Sequence, residues 1–126
     1  MSSDSILLVD DEVALLDLFS VSLRGLPNPI LKASSGHSAL DIMETQPPAV
    51  VVLDIAMPDM TGLEVLRRIR SNPKLDDVKV LILTAVPVMM DQESAALADS
   101  VLSKPINVWA LQDAVKNLLT AAASTP

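Results

Sequence analysis

The sequence predicts a doubly wound α/β domain, a five-stranded parallel sheet with helices on both faces. Three observations carry this reading. Five short apolar runs (Ile6–Val9, Ile30–Ala33, Ala49–Leu53, Val80–Leu83 and Val101–Ser103) recur along 126 residues. Segments of helical period separate them, and strand–helix alternation of this kind is the pattern of a layered α/β fold. The third and fourth runs are continuously apolar rather than alternating, as strands covered on both faces must be.

Each element follows from its own residues. After the first run, Val13, Leu16, Ser20 and Leu23 make a helical stripe. Glu12 near its start and Arg24 at its end suit the helix dipole, and Gly25 offers a stop. The Pro27–Pro29 break sets off the second run. Ala39, Leu40 and Met43 predict a second helix, begun near Ser35 and closed by Pro47–Pro48. Leu63, Leu66 and Ile69 give the third helix an apolar face, with Arg67, Arg68 and Arg70 largely off it. A fourth helix is expected after Pro87, a residue suited to a first helical turn. The fifth carries Leu111, Val115 and Leu118, with Asn107 as N-cap.

Composition bounds what such a domain can do. The length argues for one domain, with an ordered core over about residues 5–120 and short polar tails. Half of the residues are hydrophobic, which is a globular composition. The net charge of −7 opposes direct binding to nucleic acid, whose phosphates would repel it. No cysteine points to disulfides or secretion. Met1–Ser5 lacks the basic region of a signal peptide, and no run approaches a membrane span. A soluble, cytoplasmic domain is expected.

The residues that close the strands carry the functional signal. The first strand runs into Asp10-Asp11, the third into Asp54, the fourth into Thr84 and the fifth into Lys104. In an open parallel sheet, ligands bind beyond the carboxyl ends of the strands. Singly, each residue has an ordinary explanation. Asp10-Asp11 could cap a helix, Asp54 could start a turn, Thr84 could make a local hydrogen bond and Lys104 could be solvated. Four of five strands aiming a polar group at one rim is a different matter.

Three carboxylates on one rim repel each other unless a cation joins them. Magnesium suits such a set, because it accepts a few carboxylates and completes its shell with water and phosphate oxygens. Zinc is disfavoured, since His37 is the only histidine and reads as a surface residue at the start of the second helix. A metal, a lysine and a threonine hydroxyl around one carboxylate suit phosphoryl transfer, with the carboxylate as nucleophile.

These residues stand in segments that resemble the receiver domains of two-component response regulators. The matching stretches are "VDDE" at Val9–Glu12, "LDIAMPDMTG" at Leu53–Gly62, "LTA" at Leu83–Ala85 and "SKPI" at Ser103–Ile106. Their order and spacing cover nearly the whole chain. The resemblance implies a flavodoxin-like sheet of strand order 2-1-3-4-5, as in chemotaxis regulators. It implies Asp54 as phosphoacceptor, and a magnesium site made by Asp10, Asp11, Asp54 and the Met57 backbone carbonyl. Thr84 would be the switch hydroxyl and Lys104 the partner of the phosphoryl oxygens. Pro58 and Gly62 would shape the loop that brings Met57 to the metal, and the peptide bond before Pro105 would be cis. The implied partners are a sensor histidine kinase or a histidine phosphotransfer protein, and a downstream effector. A homodimer through the fourth helix, fifth strand and fifth helix is a further expectation. Such a domain acts on itself alone, catalysing its own phosphorylation and dephosphorylation.

The chain also departs from that family. Val101 stands where an aromatic is common, so the usual threonine–aromatic coupling is missing, and Leu97 stands where a glycine often precedes the alanine. Met89 and Met90 offer adaptable side chains for an output surface. Trp109 falls off the fifth helix's stripe and is expected to be partly exposed. Ala56 and Val86, two residues beyond Asp54 and Thr84, cannot orient a water by hydrogen bonding, so slow self-dephosphorylation is expected. Two other classes stay in view. An aspartate-nucleophile phosphatase would place D-x-D after its first strand, where this chain has Asp10-Asp11-Glu12. A phosphorylation-independent interaction module would have no need of the full residue set. No G-x-G-x-x-G follows any strand, which disfavours a nucleotide or flavin site.

Overall fold

A computed structural model describes residues 4–85 and 92–123. The strands are β1 (Ile6–Val9), β2 (Ile30–Ala33), β3 (Val50–Asp54), β4 (Lys79–Thr84) and β5 (Ser100–Ser103). The helices are α1 (Val13–Ser22), α2 (Gly36–Thr45), α3 (Gly62–Arg70), α4 (Gln92–Leu97) and α5 (Val108–Ala123). All strand pairs are parallel and the sheet order is β2-β1-β3-β4-β5, the expected order. The strands of the centre are buried along their whole length, β1 and β3 entirely and β4 after Lys79.

The two-residue period of the strands divides the core into two layers. Leu7, Val9, Val51, Leu53, Val80 and Ile82 face one side, where Ala39 and Met43 of α2 and Val65, Leu66 and Ile69 of α3 cover them. Ile6, Leu8, Val50, Val52, Leu81 and Leu83 face the other, under Leu16 and Phe19 of α1 and Leu111, Val115 and Leu118 of α5. The caps follow the sequence. Ser35 Oγ accepts from the Ser38 amide at 3.0 Å. Asn107 Oδ1 accepts from the amides of Trp109 and Ala110 at 2.8 and 3.2 Å.

Four details differ from the sequence reading. Val13 is 60% exposed, because the first turn of α1 lies at the rim beyond the last strand residue. The buried stripe is Leu16, Phe19 and Leu23. In α3 the buried face is Gly62, Val65, Leu66 and Ile69, with Leu63 only half-buried. That set has the i, i+3, i+4, i+7 spacing of a full apolar stripe, begun by the glycine. A 3₁₀ turn at Pro73–Leu75, capped by Asn72, also joins α3 to β4. Strand β3 begins at Val50 and takes in Asp54. His37 is exposed and Trp109 is 71% exposed. The expected start of α4 after Pro87, and Val86, Met89 and Met90, lie outside the described residues.

The two apolar positions of α1 should separate cleanly. Leu16→Ala should cost about 2–5 kcal/mol of stability, as for a buried leucine, while Val13→Ala should change it by about 0.5 kcal/mol or less. Urea unfolding followed by circular dichroism measures both.

Candidate functional site

Parallel pairing brings the candidate residues to one rim. Val9 pairs with Leu53 and Asp54 with Leu83, so Asp10, Asp54 and Thr84 reach the carboxyl edge of adjacent strands. Thr84 pairs with Ser103, which puts Lys104 on the next rung. Backbone bonds carry the ladder past the strand ends. Asp10 N donates to Ala33 O (3.2 Å), Ile55 N to Leu83 O (3.2 Å) and Lys104 N to Thr84 O (2.8 Å). The rim is therefore rigid where its side chains diverge.

Asp54, 3% exposed, is the centre of the group. Its Oδ1 lies 3.0 Å from Lys104 Nζ and 3.4 Å from the Ala56 amide. The Lys104–Pro105 peptide is cis. Thr84 is also buried. Oxygen atoms of Asp10, Asp11 and Asp54 all lie within 4.8 Å of one another. Asp11 is exposed and approaches from the solvent side.

Asp10 carries the clearest electrostatic signal. It is 2% exposed, and its Oδ1 accepts from the Glu12 amide at 2.9 Å. Its Oδ2 is buried and has no hydrogen-bond partner among the described residues. Burial pushes the Asp10 carboxyl above its ordinary value, against the pull of the Glu12 amide. The nearby Asp54 and Asp11 charges raise it further and Lys104 lowers it. A buried carboxylate oxygen without a donor, facing two more carboxylates, is what a small divalent cation would satisfy. The donor set therefore fits magnesium.

The loop from Ile55 to Thr61 explains the turn residues. Ile55 O accepts from both the Met57 and the Gly62 amides, each at 3.0 Å, which folds the loop back over the end of β3. A Cβ on Gly62 would collide with the Asp54 carbonyl oxygen and lie 2.7 Å from Ile55 Cα. Only glycine permits that approach. The Met57 side chain is buried, so it pins the loop to the core and leaves its backbone at the rim. Pro58 is exposed at the bend. Asp59 follows with φ of 65°, a left-handed conformation that Asp tolerates better than most residues.

Sequence reasoning passed over Arg70 and Asp99. Arg70 was placed off the buried face of α3, yet its guanidinium is half-buried and bonded to three groups. A charged residue at the edge of an apolar stripe is the only hint that the sequence offers.

The geometry is that of a parallel-sheet domain with a cluster of carboxylates and a lysine at its rim. Residues 6–116 match the response regulator receiver domain family, and the chain belongs to it. It is thus a receiver domain of the two-component response regulators. It is 40% identical to the probable transcriptional regulatory protein TcrX of Mycobacterium tuberculosis, over 82% of this chain and 44% of that protein. It is 33% identical to sporulation initiation phosphotransferase F of Bacillus subtilis, over 94% of this chain and 96% of that protein. Among solved structures, the response regulator TrrA of Thermotoga maritima, in complex with magnesium and BeF, is similar with a TM-score of 0.82. The two are 35% identical over 91% of this chain and 98% of that one. The chain spans less than half of TcrX and nearly all of phosphotransferase F. Among the described residues, no helix is long and apolar enough to cross a membrane.

The Asp10 carboxyl makes a test in the metal-free protein. A carboxyl raised on folding contributes stability that is fully present below its unfolded value, near 3.8, and lost as pH rises through the folded value. At neutral pH the ionised group therefore opposes folding. Asp10→Asn, which keeps an acceptor for the Glu12 amide, should stabilise the metal-free protein by about 1 kcal/mol at pH 7. The gain should shrink as pH falls toward 4. Thermal melts in EDTA across that range measure it, and a gain that grows toward low pH would contradict the assignment.

Proposed function

We propose that Asp54 accepts a phosphoryl group from the phosphohistidine of a sensor kinase or histidine phosphotransfer protein, and that the acylphosphate switches binding to a downstream effector. The observation that supports this best is the pairing of buried Asp54 with Lys104 at 3.0 Å, inside a cluster of three carboxylates. In the transfer, an Asp54 carboxylate oxygen forms a bond to phosphorus as the bond to the histidine nitrogen breaks. The products are an aspartyl phosphate and a free imidazole.

The chain's own groups suit this reaction. Rigid placement at the strand end holds the nucleophile for in-line attack. Charge spreads over the equatorial oxygens in the transition state, and Lys104 can follow it from the carboxylate to the phosphoryl group. Thr84, at the end of the neighbouring strand, can donate its hydroxyl to the same oxygens. Asp10, Asp11, Asp54 and the Met57 carbonyl would hold magnesium, which would neutralise charge on the phosphoryl group. On this reading the chain is no enzyme toward other molecules, and it acts in the cytoplasm with its kinase. A homodimer through α4, β5 and α5 is one form its output can take.

Incubation with acetyl phosphate and magnesium should add one phosphoryl group, seen by intact mass. Asp54→Asn should abolish the addition, and EDTA should suppress it in the parent protein. Lys104→Ala should lower the rate by about a hundredfold or more, the scale for losing one electrostatic contact to a transition state. Labelling of Asp54→Asn at the parental rate would refute the assignment.

The lifetime of the aspartyl phosphate gives a second test. Ala56 is exposed beside the site and offers an attacking water no hydrogen bond. Decay should therefore be slow, and Ala56→Asn should change its rate severalfold when followed by loss of the phosphoryl mass.

A further inference from the structure

We propose that Arg70 anchors the C-terminal end of α4, so that a change at Asp54 moves that helix about a fixed point. This rests on the phosphoacceptor reading above. The described residues of α4 bury few side chains. Among the described residues Gln92–Leu97, only Ser94 is buried. Leu97 is half-buried against the α2–α3 side of the core. Polar tertiary contacts hold this part of the helix.

Two arginines of α3 provide them. Arg67 Nη2 donates to Ser94 Oγ at 3.3 Å. Arg70 makes the fuller set. Its Nε donates to Leu97 O at 2.9 Å, which satisfies a terminal carbonyl of α4. Its Nη2 donates to Asp99 Oδ2 and its Nη1 to Val78 O, both at 2.8 Å. The same Asp99 oxygen accepts the Val80 amide at 2.8 Å, and the Asp99 amide donates to Val80 O at 2.9 Å. One planar guanidinium thus ties the end of α4 and the turn after it to the entering end of β4. Arginine suits this role because its donors form a fixed fork.

The anchor and the site sit at opposite ends of one strand. Val78 and Val80 flank the start of β4, while Thr84 closes it at the rim. That separation is on the order of 15 Å along the strand. The chain that leaves Thr84 leads into the N-terminal side of α4, whereas Arg70 holds the C-terminal side. A pull at Thr84 therefore turns α4 about Leu97 rather than displacing it whole. Val101, half-buried against the same side of the core as Leu97 and Ala98, stands where an aromatic side chain is common in the family.

Amide hydrogen exchange on the intact chain, with magnesium alone and with magnesium plus beryllofluoride, tests this. In the parent, exchange in Gln92–Ala95 should change severalfold on adding beryllofluoride, while Leu97–Val101 stays unchanged. Arg70→Lys keeps the charge and loses the fork. In that variant Leu97–Val101 should also become responsive and exchange about tenfold faster, the scale of one charge-assisted hydrogen bond. Amides of Leu81–Leu83 should keep parental protection, which separates loss of the anchor from general unfolding. Arg70→Ala should give the same pattern more strongly. The anchor is refuted if Leu97–Val101 responds in the parent as strongly as Gln92–Ala95, or if both variants reproduce the parental map. A failure of beryllofluoride to alter any amide, the Asp54–Gly62 loop included, overturns the phosphoacceptor reading and the anchor with it.

Discussion

Mutual repulsion among carboxylates gathered at one sheet rim is the constraint to which the rest of this site answers. Asp10 and Asp54 are almost wholly buried, and Asp11 joins them from the solvent side. Burial and like charge both oppose ionisation there, as the raised Asp10 carboxyl shows. The fold meets this in two ways. Lys104 lies against Asp54, and the Glu12 amide binds one oxygen of Asp10. The other Asp10 oxygen is buried and has no hydrogen-bond partner among the described residues. The site is thus less stable than a purely structural arrangement, which is common where binding or reaction supplies the missing partner.

The scaffold is rigid where the site needs it to be. Both faces of β1 and β3 are packed, and the ladder continues one residue past the strands that carry the reactive groups. The loop after Asp54 closes on Ile55 and is held by the buried Met57 side chain. Gly62 allows that loop to lie directly on the backbone of Asp54. The α4 side is built differently. Among the described residues, a serine of α4 and two arginines of α3 add directional hydrogen bonds to the packing of Leu97. Hydrogen bonds can release at one end while holding at the other, whereas an interdigitated apolar face moves as a block.

Much of the fold was legible because local pattern and global topology agree. Continuous apolar strands announced a covered parallel sheet, and β1 and β2 fall on the expected residues. The caps at Ser35 and Asn107 were readable because a short polar side chain before an apolar stripe has few other uses. The strand order, by contrast, rested on resemblance, since nothing local says which strands are neighbours. Val13 and Leu63 matched their stripes and still lie off the buried faces, because period alone does not say where a helix overhangs its sheet.

The sequence by itself determined which polar groups gather at the rim, because a residue that follows a buried parallel strand must emerge there. Asp10, Asp11, Asp54, Thr84 and Lys104 were all identifiable on that ground. Tertiary structure decided what each group experiences. Asp10 is buried with its carboxyl raised and Asp11 is exposed, although they are adjacent and chemically identical. It also decided that Arg70, one of three arginines on α3, would bind the end of α4 while Arg68 pairs on the surface with Glu64. Burial and the approach of distant backbone set these outcomes, and both depend on how β4, α4 and β5 pack together rather than on any stretch of sequence.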